Sequence, residues 1–136
     1  MSRGIGALAK LVLKDENTVM YEYGCYNLND PAHGTEKYLL DGLITIPRDC
    51  FAEPEIHEKI KKMPSGRKKR IIKRIPIDVD YGQMVEDGKI TVENCSNTWY
   101  YSPIKNIDIM AFCILERVFR QYQEEGDYLK FVGYDI

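Results

Sequence analysis

Two groups of residues in this chain have the types and spacing to do chemistry. The first is PSGRKKRIIKR, residues 64–74, where a turn opens onto a dense run of cations. Residues 61–74 hold eight basic side chains (Lys61, Lys62, Arg67, Lys68, Lys69, Arg70, Lys73 and Arg74) and no acid. The other residues carry 11 basic and 21 acidic side chains, so the net charge of −2 conceals a local +8 set against −10. Such a segment attracts phosphates by its field and holds them with guanidinium forks. A solvated, charged edge that resists sheet-to-sheet aggregation has the same composition. The acidic remainder opposes a long polyanion, so a compact anion fits better than nucleic acid. Arg67, Lys68, Lys69 and Arg70 are the candidate anion site.

The second group lies in NCSNTWYY, residues 94–101, and in the helical segment that follows. Trp99, Tyr100 and Tyr101 can offer aromatic faces to a base. Asn94 and Asn97 can hydrogen-bond ribose or base edges, and Arg117 and Arg120 can meet phosphates. Each residue also has a plainer reading: core aromatics, turn asparagines, and surface i,i+4 pairs from Glu116 to Arg120 and Arg120 to Glu124. Together Asn94, Asn97, Trp99, Tyr101, Arg117 and Arg120 have the composition of a nucleotide pocket.

Other patterns point to less. Gly4 to Ala9 match G-x-G-x-x-A, but no strand precedes them, so the dinucleotide fingerprint lacks its context. Asp78-Val79-Asp80 is a D-x-D, which can hold a divalent cation with a phosphate substrate; a strand end entering a turn gives the same pattern. Cys25, Cys50, Cys95 and Cys113 form no C-x-x-C pair, and His33 and His57 lack ligand spacing. Free thiols are expected, with neither metal nor other cofactor. No nucleophile with a partnered base stands out, so no catalytic residue is assigned and the expectation is a binding protein, not an enzyme.

The elements that must position these groups are readable from hydrophobic period. With 136 residues, 44% hydrophobic and 29% charged, the chain is expected to form one domain, 1–136, around a single core. No apolar run approaches the roughly 18 residues that would span a bilayer, and the first residues do not resemble a leader. The expected address is the cytosol. Residues 5–14 and 18–27 read as a hairpin, 28–37 as a loop and 38–47 as a strand stopped by Pro47. Residues 51–63 place Ile56, Ile60 and Met63 on one helical face, with acids early and lysines late, and predict a short helix. Residues 68–79 read as an extended run whose interruption by Pro76 suggests an edge position or a bulge, followed by a turn at 86–89 and strands in 90–95 and 97–101. A long amphipathic helix is predicted over 106–125, stopped by Gly126, with a further strand in 128–136. The fold class is α+β: an antiparallel sheet of about six strands carrying one short helix and a long C-terminal helix.

In its ordering of SRGIGALAKLVLKDENTVMYEYGCYN, AEPEIHEKIKKMPSGRKK, VENCSNTW and YQEEG, the chain resembles the phage anti-Thoeris sponge family, whose members sequester cyclic ADP-ribose isomers. That resemblance covers most of the chain and implies an antiparallel sheet with C-terminal helices. It implies capture, without degradation, of the messenger made by a bacterial TIR-domain defence enzyme, in the cytoplasm of the infected bacterial host cell. It further implies a homo-oligomer, a dimer or an assembly of dimers, with ligand held between protomers by sheet and C-terminal helix. This directs attention to Arg117, Arg120 and residues 94–101. The basic segment would then guide phosphorylated messengers or form a second anion site, of a kind that suits cyclic oligonucleotides. The competing expectations are a small nucleic-acid-binding protein using residues 61–74 and an enzyme that degrades the messenger.

Overall fold

The computed structural model describes residues 4–29 and 39–135. The fold class is α+β, as expected, with seven strands among the described residues divided between two sheets. Strands β1 (Ile5–Lys14), β2 (Thr18–Asn27), β3 (Gly42–Pro47), β6 (Thr91–Glu93) and β7 (Phe131–Asp135) form an antiparallel sheet in the order β6-β3-β2-β1-β7. Strands β4 (Glu55–Lys62) and β5 (Lys68–Ile75) form a separate two-stranded arm. The described residues also form the α-helices α1 (Tyr81–Glu86) and α2 (Ile109–Glu125).

Alternation builds the main sheet. Ala7, Ala9, Val19, Tyr21, Tyr23, Cys25, Ile44, Ile46 and Val132 turn to one face and are buried there. Helix α2 lays Met110, Ala111, Ile114, Leu115, Val118 and Phe119 over that face, the 3.6-residue stripe meeting the two-residue one. Ala7 and Ala9 are small, which lets the helix approach β1. The helix starts at Asp108, whose carboxylate accepts from Met110 N at 2.9 Å, and stops at Gly126, φ 80°, whose N–H donates to Tyr122 O. At this C-terminal end Phe51 packs between the rings of Phe119, Tyr122 and Tyr128, with centroids 4.7–5.0 Å away.

Gly42 opens β3 because nothing larger fits. A Cβ there would lie 2.3 Å from Tyr23 Cε1 and 2.9 Å from Cys95 N. Gly42→Ala is expected to displace the Tyr23 ring and to cost about 2–3 kcal/mol by overpacking, read as a lower midpoint in urea unfolding.

Several expectations need correction. Residues 51–63 are not a helix; a 3-10 turn at Arg48–Cys50 precedes them, and 55–62 is β4. The spacing of Ile56 and Ile60 is an even number of residues, so it satisfies a strand as well as a helix. Pairing with β5, from Glu55↔Ile75 to Lys62↔Lys68, then decides. Met63 and Gly66, φ +83°, close the turn, with Gly66 N donating to Met63 O at 2.9 Å. β5 ends at Ile75, before Pro76, which has no N–H to give. Residues 97–101 contribute only an isolated bridge, Tyr101 to Asp108. Helix α1 was not expected; Asp80 caps it by accepting from Gln83 N at 3.0 Å. Most of the expected loop at 28–37, and His33 with it, lies outside the described residues.

Candidate functional site

The candidate site is a cleft of about 740 Å³ between residues 76–82 and the C-terminal half of α2. Its first wall exists because Gln123, itself buried, clamps the irregular chain after β5. Its Nε2 donates to Ile77 O at 3.0 Å, its Oε1 accepts from Ile77 N, and its own carbonyl accepts from Arg74 Nε at 2.9 Å. One glutamine thus fixes the root of the arm and the start of the cleft to the helix. Arg74 Nη2 remains buried without a partner at this root.

Three kinds of group converge on the cleft. Tyr81, half-buried, stacks on Phe119 with centroids 5.9 Å apart and planes 12° apart, giving an aromatic wall. Asp78 and Asp80 line it on the arm side, and Asp80 spends one oxygen on the α1 cap. Arg120 stands on the helix side with its Nη2 2.9 Å from Glu116 Oε1, a half-exposed i,i+4 pair. Aromatic face, carboxylate and guanidinium are the groups that take a base, a ribose diol and a phosphate respectively. The cleft carries more carboxylates than cations, and a phosphate reaching Arg120 competes with Glu116 for its guanidinium.

The residues expected in one pocket are divided among three places. Arg120 alone lines the cleft. Arg117, one turn earlier, lies over the Tyr134 ring at 5.5 Å. Asn94, Asn97, Trp99 and Tyr101 sit at the other end of α2, about 18 Å away at 1.5 Å per residue. There Asn94 closes the loop 94–108: its Nδ2 donates to Asn106 O and its Oδ1 accepts from Asp108 N, both at 2.9 Å. Lys105 and Asn106 hold positive φ inside this loop, which the asparagine clamp sustains. Asn97 accepts from Cys25 Sγ through its carbonyl. Trp99 meets Tyr100 edge-on at 5.7 Å, and its Nε1 is buried without a hydrogen-bond partner. The Tyr100 and Tyr101 rings are exposed.

Arg67, Lys68, Lys69 and Arg70 cluster at the tip of the exposed arm, where Arg70 pairs with Glu58. The register sets Lys61 opposite Lys69 and Lys62 opposite Lys68. Two adjacent like-charge pairs across a ladder are destabilising, and an anion relieves them.

Beneath the sheet lies a polar cluster that spacing could not reveal. Asp108 is fully buried; its Oδ2 accepts from Tyr23 Oη at 3.0 Å and has Thr98 Oγ1 at 3.2 Å and Cys95 Sγ at 3.5 Å, while the Thr98 hydroxyl is 2.7 Å from its nearer acceptor, Cys95 O. Cys25 Sγ is 3.4 Å from Cys95 Sγ. Burial and the neighbouring Asp108 push the Tyr23 hydroxyl well above its usual range. The hydrogen bond between the thiols raises Cys25 and lowers Cys95 to about 7.

No protein-family model, curated protein or solved structure matches the chain. Among the described residues no helix is long and apolar enough to cross a membrane.

Proposed function

We propose that this protein captures a small ring-closed nucleotide of the cyclic ADP-ribose class and holds it intact, acting as a phage sponge against TIR-based immunity. The observation that supports this reading best is the convergence of Tyr81 and Phe119, Asp78 and Arg120 on one cleft of about 740 Å³. That volume falls in the range of small-ligand sites. A ring-closed ligand brings little conformational freedom to lose, so a few charge-assisted bonds and one stacking face suffice for tight binding. Arg117 and residues 94–101 are left for a neighbouring protomer to bring near a ligand, in the dimer or assembly of dimers that the family resemblance implies.

Capture and cleavage are separated by one experiment. The protein is mixed with cyclic ADP-ribose isomers, freed of unbound ligand and heat-denatured, and the supernatant is chromatographed. A sponge releases the isomer unchanged. A new nucleotide in the supernatant would make the protein an enzyme, and an empty supernatant would end the proposal.

A second reading is carried by the arm. Its two lysine pairs and its exposure suit a separate anion site, for a cyclic oligonucleotide or for a nucleic-acid strand. Lys61→Glu with Lys62→Glu turns both like-charge pairs into opposite ones. Slower amide exchange in the arm and weaker binding to single-stranded RNA are expected, with the slope of log K against log salt reduced by about two. Cyclic ADP-ribose capture at equilibrium should not change.

A further inference from the structure

We infer that Cys25, Cys95 and Asp108 bind a structural zinc ion between the sheet and helix α2. Their ligand atoms all lie within 4.8 Å of one another, and all three residues are buried. They come from three separated pieces of chain: β2, the turn after β6, and the cap of α2. Around zinc, with bonds of about 2.3 Å to sulfur and 2.0 Å to oxygen, tetrahedral edges are about 3.8 Å for S···S, 3.5 Å for S···O and 3.3 Å for O···O. Cys95 Sγ lies 3.4 Å from Cys25 Sγ and 3.5 Å from Asp108 Oδ2, so the sulfur pair opens by a few tenths of an ångström, and Cys25 Sγ and the carboxylate, within 4.8 Å of each other, settle at the S···O edge.

Thr98 Oγ1 supplies the fourth corner, 3.5 Å from Cys95 Sγ and 3.2 Å from Asp108 Oδ2. The turn that presents it is closed by Thr98 N donating to Cys95 O at 3.2 Å, so the two ligands three residues apart face one way. The carboxylate is oriented from outside the cluster: Met110 N holds Oδ1 and the Tyr23 hydroxyl donates to Oδ2, the outer support a zinc ligand requires. No salt bridge among the described residues involves Asp108, and zinc would supply it with a cation, two thiolates and one carboxylate around the ion leaving a net charge of about −1. On binding, each thiol gives one proton to solvent and the ion sheds its waters, so no oxidant or reductant is involved. The site has no open surface, so the ion enters as the chain folds.

The test uses the full chain refolded from denaturant, under reducing conditions, with cobalt(II) in place of zinc. One equivalent of bound metal, a near-ultraviolet thiolate-to-cobalt band and the visible absorption of tetrahedral cobalt are expected. Refolding with zinc in place of cobalt should give the same metal count with neither band. Cys95→Ser, which keeps one of the two thiolates, should weaken the sulfur band, and because that variant risks misfolding, the wild-type spectrum and metal count carry the decision. Wild-type protein that refolds with no bound cobalt and no sulfur band would overturn the proposal. So would a thiol titration of denatured protein, purified without reductant, finding two of the four cysteines oxidised.

Discussion

Asp108→Ala is expected to destabilise the protein by about 2–4 kcal/mol, a large share of the 5–15 kcal/mol by which a domain is ordinarily stable. Two losses combine. Helix α2 loses the carboxylate that accepts from Met110 N, and replacing such a cap costs about 1 kcal/mol. Tyr23, buried, loses the acceptor of its hydroxyl, and a buried donor left without one costs about 1–3 kcal/mol, whereas Thr98 keeps Cys95 O at 2.7 Å. The measurement is urea unfolding of chelator-treated protein, so that the hydrogen-bonded hub alone is read. A midpoint within the error of wild type would show that the hub does not hold the helix to the sheet.

Arg120→Ala is expected to weaken capture of a cyclic ADP-ribose isomer by about 10- to 100-fold, the worth of one charge-assisted hydrogen bond to phosphate. Arg120 is exposed and its one ion pair is half-exposed, so the fold should change by no more than about 0.5 kcal/mol. The partner mutation has the opposite sign. Glu116 occupies the guanidinium before the ligand does, and Glu116→Gln removes both that competitor and a repelling charge, so affinity should rise about threefold. Isothermal titration of both variants checks the pair. If Glu116→Gln weakens binding, or Arg120→Ala leaves it unchanged, the phosphate does not lie on this arginine.

The sheet and the long helix were legible in the sequence because both are written in local period. β1 and β2 alternate, and α2 carries an unbroken apolar stripe between a capping aspartate and a glycine stop. Where two periods coincide, reading fails: Ile56 and Ile60 sit on one face of either element, and the partner that decides, β5, arrives only across a turn at 64–66. Helix α1 escaped notice because six residues are too few to show a period.

The candidate site was legible only in fragments. Arg120 was singled out for its charge, but its cleft neighbours Tyr81 and Asp78 lie some 40 residues earlier and meet it only through the Gln123 clamp. Asn94, with the residue types of a nucleotide contact, is occupied instead in closing its own loop. Cys25 and Cys95 show no ligand spacing because 70 residues separate them, and the strand pairing β2-β3-β6 is what brings them together.

The measurement closest to the central proposal is a backbone amide NMR titration of the protein with cyclic ADP-ribose isomers. The account predicts saturable shifts in residues 76–82 and along 116–123 of α2, with the arm at 55–75 unmoved once salt is present. Shifts confined to the arm, or no saturable shift with any isomer, would contradict it.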